Sequence, residues 1–135
     1  MRAWLLALLL WVGAVASLQA EENIAAAQTI IGSQIEALMR DDAEAAYAFA
    51  APAIRSVFPQ ADIFMAMVRA NYAAIYRNKS FKFGEARELS GGVAQRVAIV
   101  DEQGVPWEAL YTLEQQPDGS LKIIGCVLLK VGQAV

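Results

Sequence analysis

An α+β domain, with three N-terminal helices packed on a curved antiparallel four-stranded meander, is what this 135-residue chain predicts. Two observations carry the prediction. Apolar residues recur at helical spacing up to about Tyr76, and after Asn78 the pattern becomes an alternation with period two, punctuated by Gly-Gly, Asp-to-Gly and Pro-Asp-Gly turns. Helical runs followed by strand runs imply a layer of helices covering one face of a sheet.

The opening "MRAWLLALLLWVGAVASLQA" does not read as part of that domain. Arg2 is a minimal positive start, and Trp4 to Val15 form a short apolar run. Ala14-Val15-Ala16 then offers a small-x-small cleavage motif, with Ala20 as a second candidate. The run is shorter than the roughly twenty residues a bilayer requires, and no cysteine follows it to accept a lipid. The expectation is a signal peptide over residues 1–20, a single domain over 21–135, and export to the periplasm or medium. Once the leader is cleaved, no stable membrane insertion is expected.

The first helix is placed at Asn23 to Arg40, where Ile24, Ala27, Ile31, Ile35, Leu38 and Met39 share a stripe interrupted by Gly32. In "DDAEAAYAFAAP", Asp41 and Glu44 are spaced as a capping box for a second helix that runs to Pro52. A short turn carries Ile54, Val57 and Phe58, and Pro59 begins a third helix. There Phe64, Met67, Val68, Asn71 and Ile75 share a face that Tyr72 and Tyr76 flank. "FKFGEARELSGG" and "GVAQRVAIVDEQG" read as the first two strands. "PWEALYTLEQQPDGSLKIIGCVLLK" supplies the other two around strong hairpin chemistry.

Composition excludes much. The mature domain carries ten basic against fourteen acidic residues, about −4, with no cluster of Lys and Arg to grip a phosphate backbone. No nucleic-acid partner is therefore expected. With no histidine and one cysteine there is no Ser-His-Asp triad, no Cys-His pair and no ordinary zinc site. Neither a metal nor a cofactor is expected. A lone cysteine cannot close an internal disulfide, so stability must come from the core.

Several candidate residues remain. Alternation puts Trp107, Ala109, Tyr111 and Leu113 on one face of strand three, the expected concave one. Leu121, Ile123 and Val127 of strand four join it unless Gly125 marks a bulge. With Phe83 of strand one and Tyr47, Tyr72 and Tyr76 of the helices, these rings could line a pocket for a small apolar ligand. The structural alternative is a filled core with hydroxyls at its rim. Proton-abstraction chemistry would need an inward carboxylate. Glu85, on the Phe81/Phe83 face, is the better candidate and Asp101 the other, although Arg87 and Arg96 are placed to pair with Glu85. Leu110, Ile124, Cys126 and Leu128 would form an apolar outer patch flanked by Lys122, Lys130, Glu108 and Glu114. That patch suits a protein partner or a homodimer, and Cys126 could cross-link two copies. A buried, inert thiol is the alternative. Arg69, Arg77, Lys79 and Lys82 gather near the end of helix three, where they complement its C-terminus.

The stretches "QIEALMRDDAEAAYAFAAPAIRSVF", "FMAMVRANYAAIYR" and the final hairpin together resemble an exported bacterial family, domain of unknown function 4864, over roughly Ile24 to Lys130. The helical "DDAEAAYAFAAP" and the strand ending in "DGSLKI" also resemble the cone-shaped superfamily of nuclear transport factor 2 and ketosteroid isomerase. A tryptophan often follows "DGS" in that superfamily, and Leu121 stands there in this chain. The resemblance implies a conical fold with a pocket between helices and concave sheet. It implies no activity, because this fold hosts enzymes, binding modules and association domains alike. The leading expectation is a non-enzymatic ligand- or partner-binding module. The alternatives are a small isomerase-like enzyme using Glu85 and a structural homodimer with a filled cone.

Overall fold

A computed structural model describes the backbone of residues 2–132 and the side chains of residues 15–132. Residues 1 to 14 of the expected leader, with Ala14 of its cleavage motif, lie outside the described side chains. No helix among the described residues is long and apolar enough to cross a membrane.

Helix α1 spans Arg2–Met39, and its stripe of Ala27, Ile31, Ile35 and Leu38 is buried against the sheet. Its end is a Schellman turn, with Asp41 N–H bonded to Leu38 O at 3.1 Å and Asp42 N–H to Ala37 O at 2.9 Å. Asp41 occupies the left-handed position (φ +60°) where glycine is usual. Its carboxylate explains the tolerance, since it is bound by Tyr76, Arg69 and Arg77.

The helices that follow are shorter than expected. α2 covers Ala43–Tyr47, and its N-cap is Asp42, which accepts from Ala45 N–H at 3.1 Å, rather than Asp41. It stops well before Pro52 because Phe49 to Ala51 leave the helix to bridge the last strand. Ala51 N–H donates to Ile123 O and Ile123 N–H to Phe49 O, each at 2.8 Å. The expected turn at Ile54 is a helix, α3 (Pro52–Val57), with proline in its first turn. The expected third helix is divided at Tyr72 into α4 (Ala61–Asn71) and α5 (Ala73–Tyr76).

Strands β1 (Asn78–Leu89), β2 (Gly92–Asp101), β3 (Pro106–Gln115) and β4 (Leu121–Lys130) form an antiparallel meander in the order β1-β2-β3-β4. The Pro-Asp-Gly hairpin is as expected: Gly119 takes φ +88°, and Asp118 accepts from both the N–H and the hydroxyl of Ser120. Val93, Val97, Ile99, Ala109, Tyr111 and Leu113 point inward and meet α1, α4 and α5 in one core.

Two bulges decide which later residues point inward. In β1, Phe83 pairs with Val97 but Ala86 pairs with Gln95, so Gly84 and Glu85 together oppose Arg96. In β4, Leu113 pairs with Ile123 but Thr112 pairs with Gly125, leaving Ile124 as an extra residue. An inserted residue reverses the side-chain alternation beyond it. Glu85 is accordingly exposed and turned away from the core, and Arg96 pairs with Glu108 at 2.6 Å instead. On β4, Cys126 and Leu128 join the inner face opposite Tyr111 and Ala109, and Val127 is turned outward, 55% exposed.

The β1 bulge is held by Gln95, which is fully buried. Its Nε2 reaches the carbonyls of Arg96 (2.7 Å), Gly84 (3.1 Å) and Glu85 (3.3 Å). Its Oε1 accepts from Gln28 Nε2 on α1 at 3.1 Å. That amide accounts for the polar groups a bulge would otherwise leave bare in the core.

Candidate functional site: an uncharged pocket beside strand four

The cone is partly open. A pocket of about 280 Å³ lies between the helices and the β3/β4 end of the sheet. Its floor and walls are Gln34 and Leu38 of α1, Phe64 and Val68 of α4, Ile75 of α5, Tyr111 of β3 and Ile123 of β4, all buried. Half-buried Ile54, Phe58, Met67, Tyr72, Ile124 and Gly125 complete the lining and form its rim. Cys126 is the last lining residue, brought inward by the bulge at Ile124. None of the lining residues is charged.

Four polar side chains face this apolar space. Tyr72, at the α4–α5 break, donates its hydroxyl to Cys126 O at 2.7 Å, so one ring ties the helices to the edge strand. Tyr111 is directly opposite Cys126 in the ladder. Burial pushes the Tyr111 hydroxyl well above its ordinary range. Burial also pushes the Cys126 thiol up to about 12, against a smaller lowering from Tyr111. Tyr72 is raised for the same reason. All three groups are therefore protonated and neutral at physiological pH. The fourth is Gln34, only 5% exposed, which donates Nε2 to Ala46 O at 3.2 Å.

Of the six aromatic residues expected to line a pocket, Tyr72 and Tyr111 do so. Tyr47 stands behind the wall: its hydroxyl donates to Phe58 O at 2.6 Å, its ring meets Phe64, and the Arg55 guanidinium covers it at 4.6 Å. Tyr76 is outside, bonded to Asp41 and stacked by Arg77 at 3.8 Å. Phe83 packs edge-on to Phe81 beside α1. Trp107 closes the β2–β3 turn by donating Nε1 to Asp101 at 2.9 Å. Asp101 also accepts from Gln103 and Val105 N–H, which together with Trp107 holds its carboxyl below the usual range. Both acids considered for proton abstraction thus lie away from the pocket. The proposed outer patch is divided as well, since Cys126 and Leu128 face inward while Leu110 stays outside with Val127 and Leu129.

Gln34 was not foreseen as a site residue, and Ile124, expected on the outer patch, is found at the pocket rim instead. Glutamine on the apolar stripe of a helix was the available signal for the first: Gln34 sits between Ile31 and Ile35 on one side and Leu38 on the other. Arg69 and Arg77 spend their charge on Asp41, whose carboxyl is lowered to about 2, with the Tyr76 hydrogen bond the largest cause and the two arginines next.

Comparison with known proteins agrees with this architecture. A crystal structure of an NTF-2 like protein of unknown function from Silicibacter pomeroyi DSS-3 superposes with a TM-score of 0.58 at 18% identity, covering 82% of this chain and 97% of that one. Among curated proteins, none matches. The model of one family, Domain of unknown function (DUF4864), matches residues 20–134, and the chain belongs to that family, built on the NTF2-like fold.

Proposed function

We propose that the chain is an exported, non-catalytic binding module whose pocket takes a small, predominantly apolar molecule. The observation that carries this reading is an apolar, uncharged pocket of about 280 Å³ opening beside β4. Its volume is at the lower edge of the ~300–1,000 Å³ common for small-molecule sites, which suits a compact ligand of one or two rings. Proton-transfer chemistry finds little support, because no carboxylate lines the space and its hydroxyls and thiol are all held protonated. Export rests on the apolar run and the small-x-small motif of the first twenty residues.

The test is calorimetric titration of residues 21–135 with 2-naphthol, a neutral two-ring probe, beside native mass spectrometry of material exported by a bacterial host. Saturable 1:1 binding is expected, and it should be lost when Met67→Trp fills the rim without altering the melting temperature. A filled, ligand-free cone that binds nothing would overturn the reading.

A further inference from the structure

We infer that the pocket selects neutral ligands carrying a hydrogen-bond donor, such as an alcohol or phenol, and that Gln34 Oε1 is the group that recognises it. This deepens the binding reading above and rests on it.

The orientation of Gln34 follows from its neighbour. A backbone carbonyl only accepts, so the end of the amide that meets Ala46 O at 3.2 Å must be the NH2. The carbonyl end is left over, and Oε1 has no partner among the described residues although the side chain is 95% buried in the pocket lining. No side-chain oxygen or nitrogen among the described residues is both fully enclosed and unpaired, so Oε1 must retain some open surface. An acceptor in such a place is costly to leave bare and profitable to satisfy.

The other polar atoms point to the same chemistry. Tyr72 has spent its proton on Cys126 O. What its hydroxyl still offers is mainly lone pairs. A ligand with a hydroxyl or N–H therefore meets acceptors, whereas one with only acceptors meets few donors. Charge is disfavoured independently. An anion or cation entering this space would shed its hydration without finding a counter-charge, because no lining residue carries one. Gln95 gives the contrast: that buried glutamine uses both ends within the protein, whereas Gln34 uses one.

The experiment compares 2-naphthol, naphthalene and 2-naphthoate by calorimetry at pH 7 on the wild-type domain and on Gln34→Leu. Naphthalene is the more hydrophobic of the neutral pair, so burial alone would favour it. Recognition by Gln34 predicts that 2-naphthol binds about tenfold tighter than naphthalene and that 2-naphthoate does not bind in the same range. In Gln34→Leu the order should invert, with naphthalene at least equal to 2-naphthol. If wild type binds naphthalene as well as 2-naphthol, or prefers 2-naphthoate, this inference fails while the binding pocket stands. If none of the three binds, both fail together. The wild-type comparison decides the matter even if the variant does not fold.

Discussion

Two buried glutamines divide the interior of this protein. Gln95, in the half beneath α1 and β1, has its amide fully engaged: three carbonyls on one end and Gln28 on the other. Gln34, on the facing helix α1, has one bond at 3.2 Å and one free end in a pocket. Each half also contains a bulge. The β1 bulge is held by Gln95, whose amide bonds the carbonyls of Gly84, Glu85 and Arg96. The β4 bulge, with Ile124 displaced, lies at the rim of the space that Tyr111 and Cys126 line. The same irregularity is tied into the hydrogen-bonded interior at β1 and borders an open pocket at β4.

The most sensitive way to break that comparison is through Cys126. If β4 kept its alternation, the thiol would sit outside and react as an ordinary cysteine. With its pKa raised to about 12, it should instead alkylate at pH 8 roughly a thousandfold more slowly than a free cysteine, because only the thiolate attacks. Iodoacetamide labelling followed by mass spectrometry measures this, and labelling at the rate of a model peptide would refute the inward register.

A substitution at each glutamine sharpens the contrast. Gln95→Leu leaves the carbonyls at the β1 bulge without their donor inside the core, and should cost about 1–3 kcal/mol in urea unfolding. Gln34→Leu removes one long bond and an unpaired acceptor, and should change stability by less than about 1 kcal/mol. Equal losses at both positions would show that Gln34 is as structural as Gln95.

The smallest effect concerns the clamp that ends α1 behind the open half. Asp41 has a folded pKa lowered from 3.8 to about 2, so its contribution is complete above the unfolded value and disappears as pH falls through 2. Asp41 is exposed, and solvent screening keeps the gain modest. Asp41→Asn should therefore melt below wild type at neutral pH, and the two curves should converge between pH 4 and pH 2. A difference that persists at pH 2 would assign the effect to the Schellman turn rather than to the charge.

Much of the fold was legible in local pattern. The α1 stripe, the four strands, their order and the Pro-Asp-Gly hairpin all follow from periodicities and turn residues that act over a few positions. The divided helices were less so. What ends α2 early is the pairing of Phe49 to Ala51 with Ile123, and that partner lies some seventy residues on in the chain. The site was legible in kind, an aromatic pocket against the concave sheet, and misread in membership.

The physical reason is the bulge. A strand's alternation is a relative statement, and one extra residue reverses every side chain after it without altering a single letter's propensity. Periodicity alone determined that this chain would form helices over a meander with apolar residues between them. Only the paired sheet could decide that Glu85 turns out and Cys126 turns in, and only the packing of α1 against α2 that Gln34 is left with an acceptor facing the pocket.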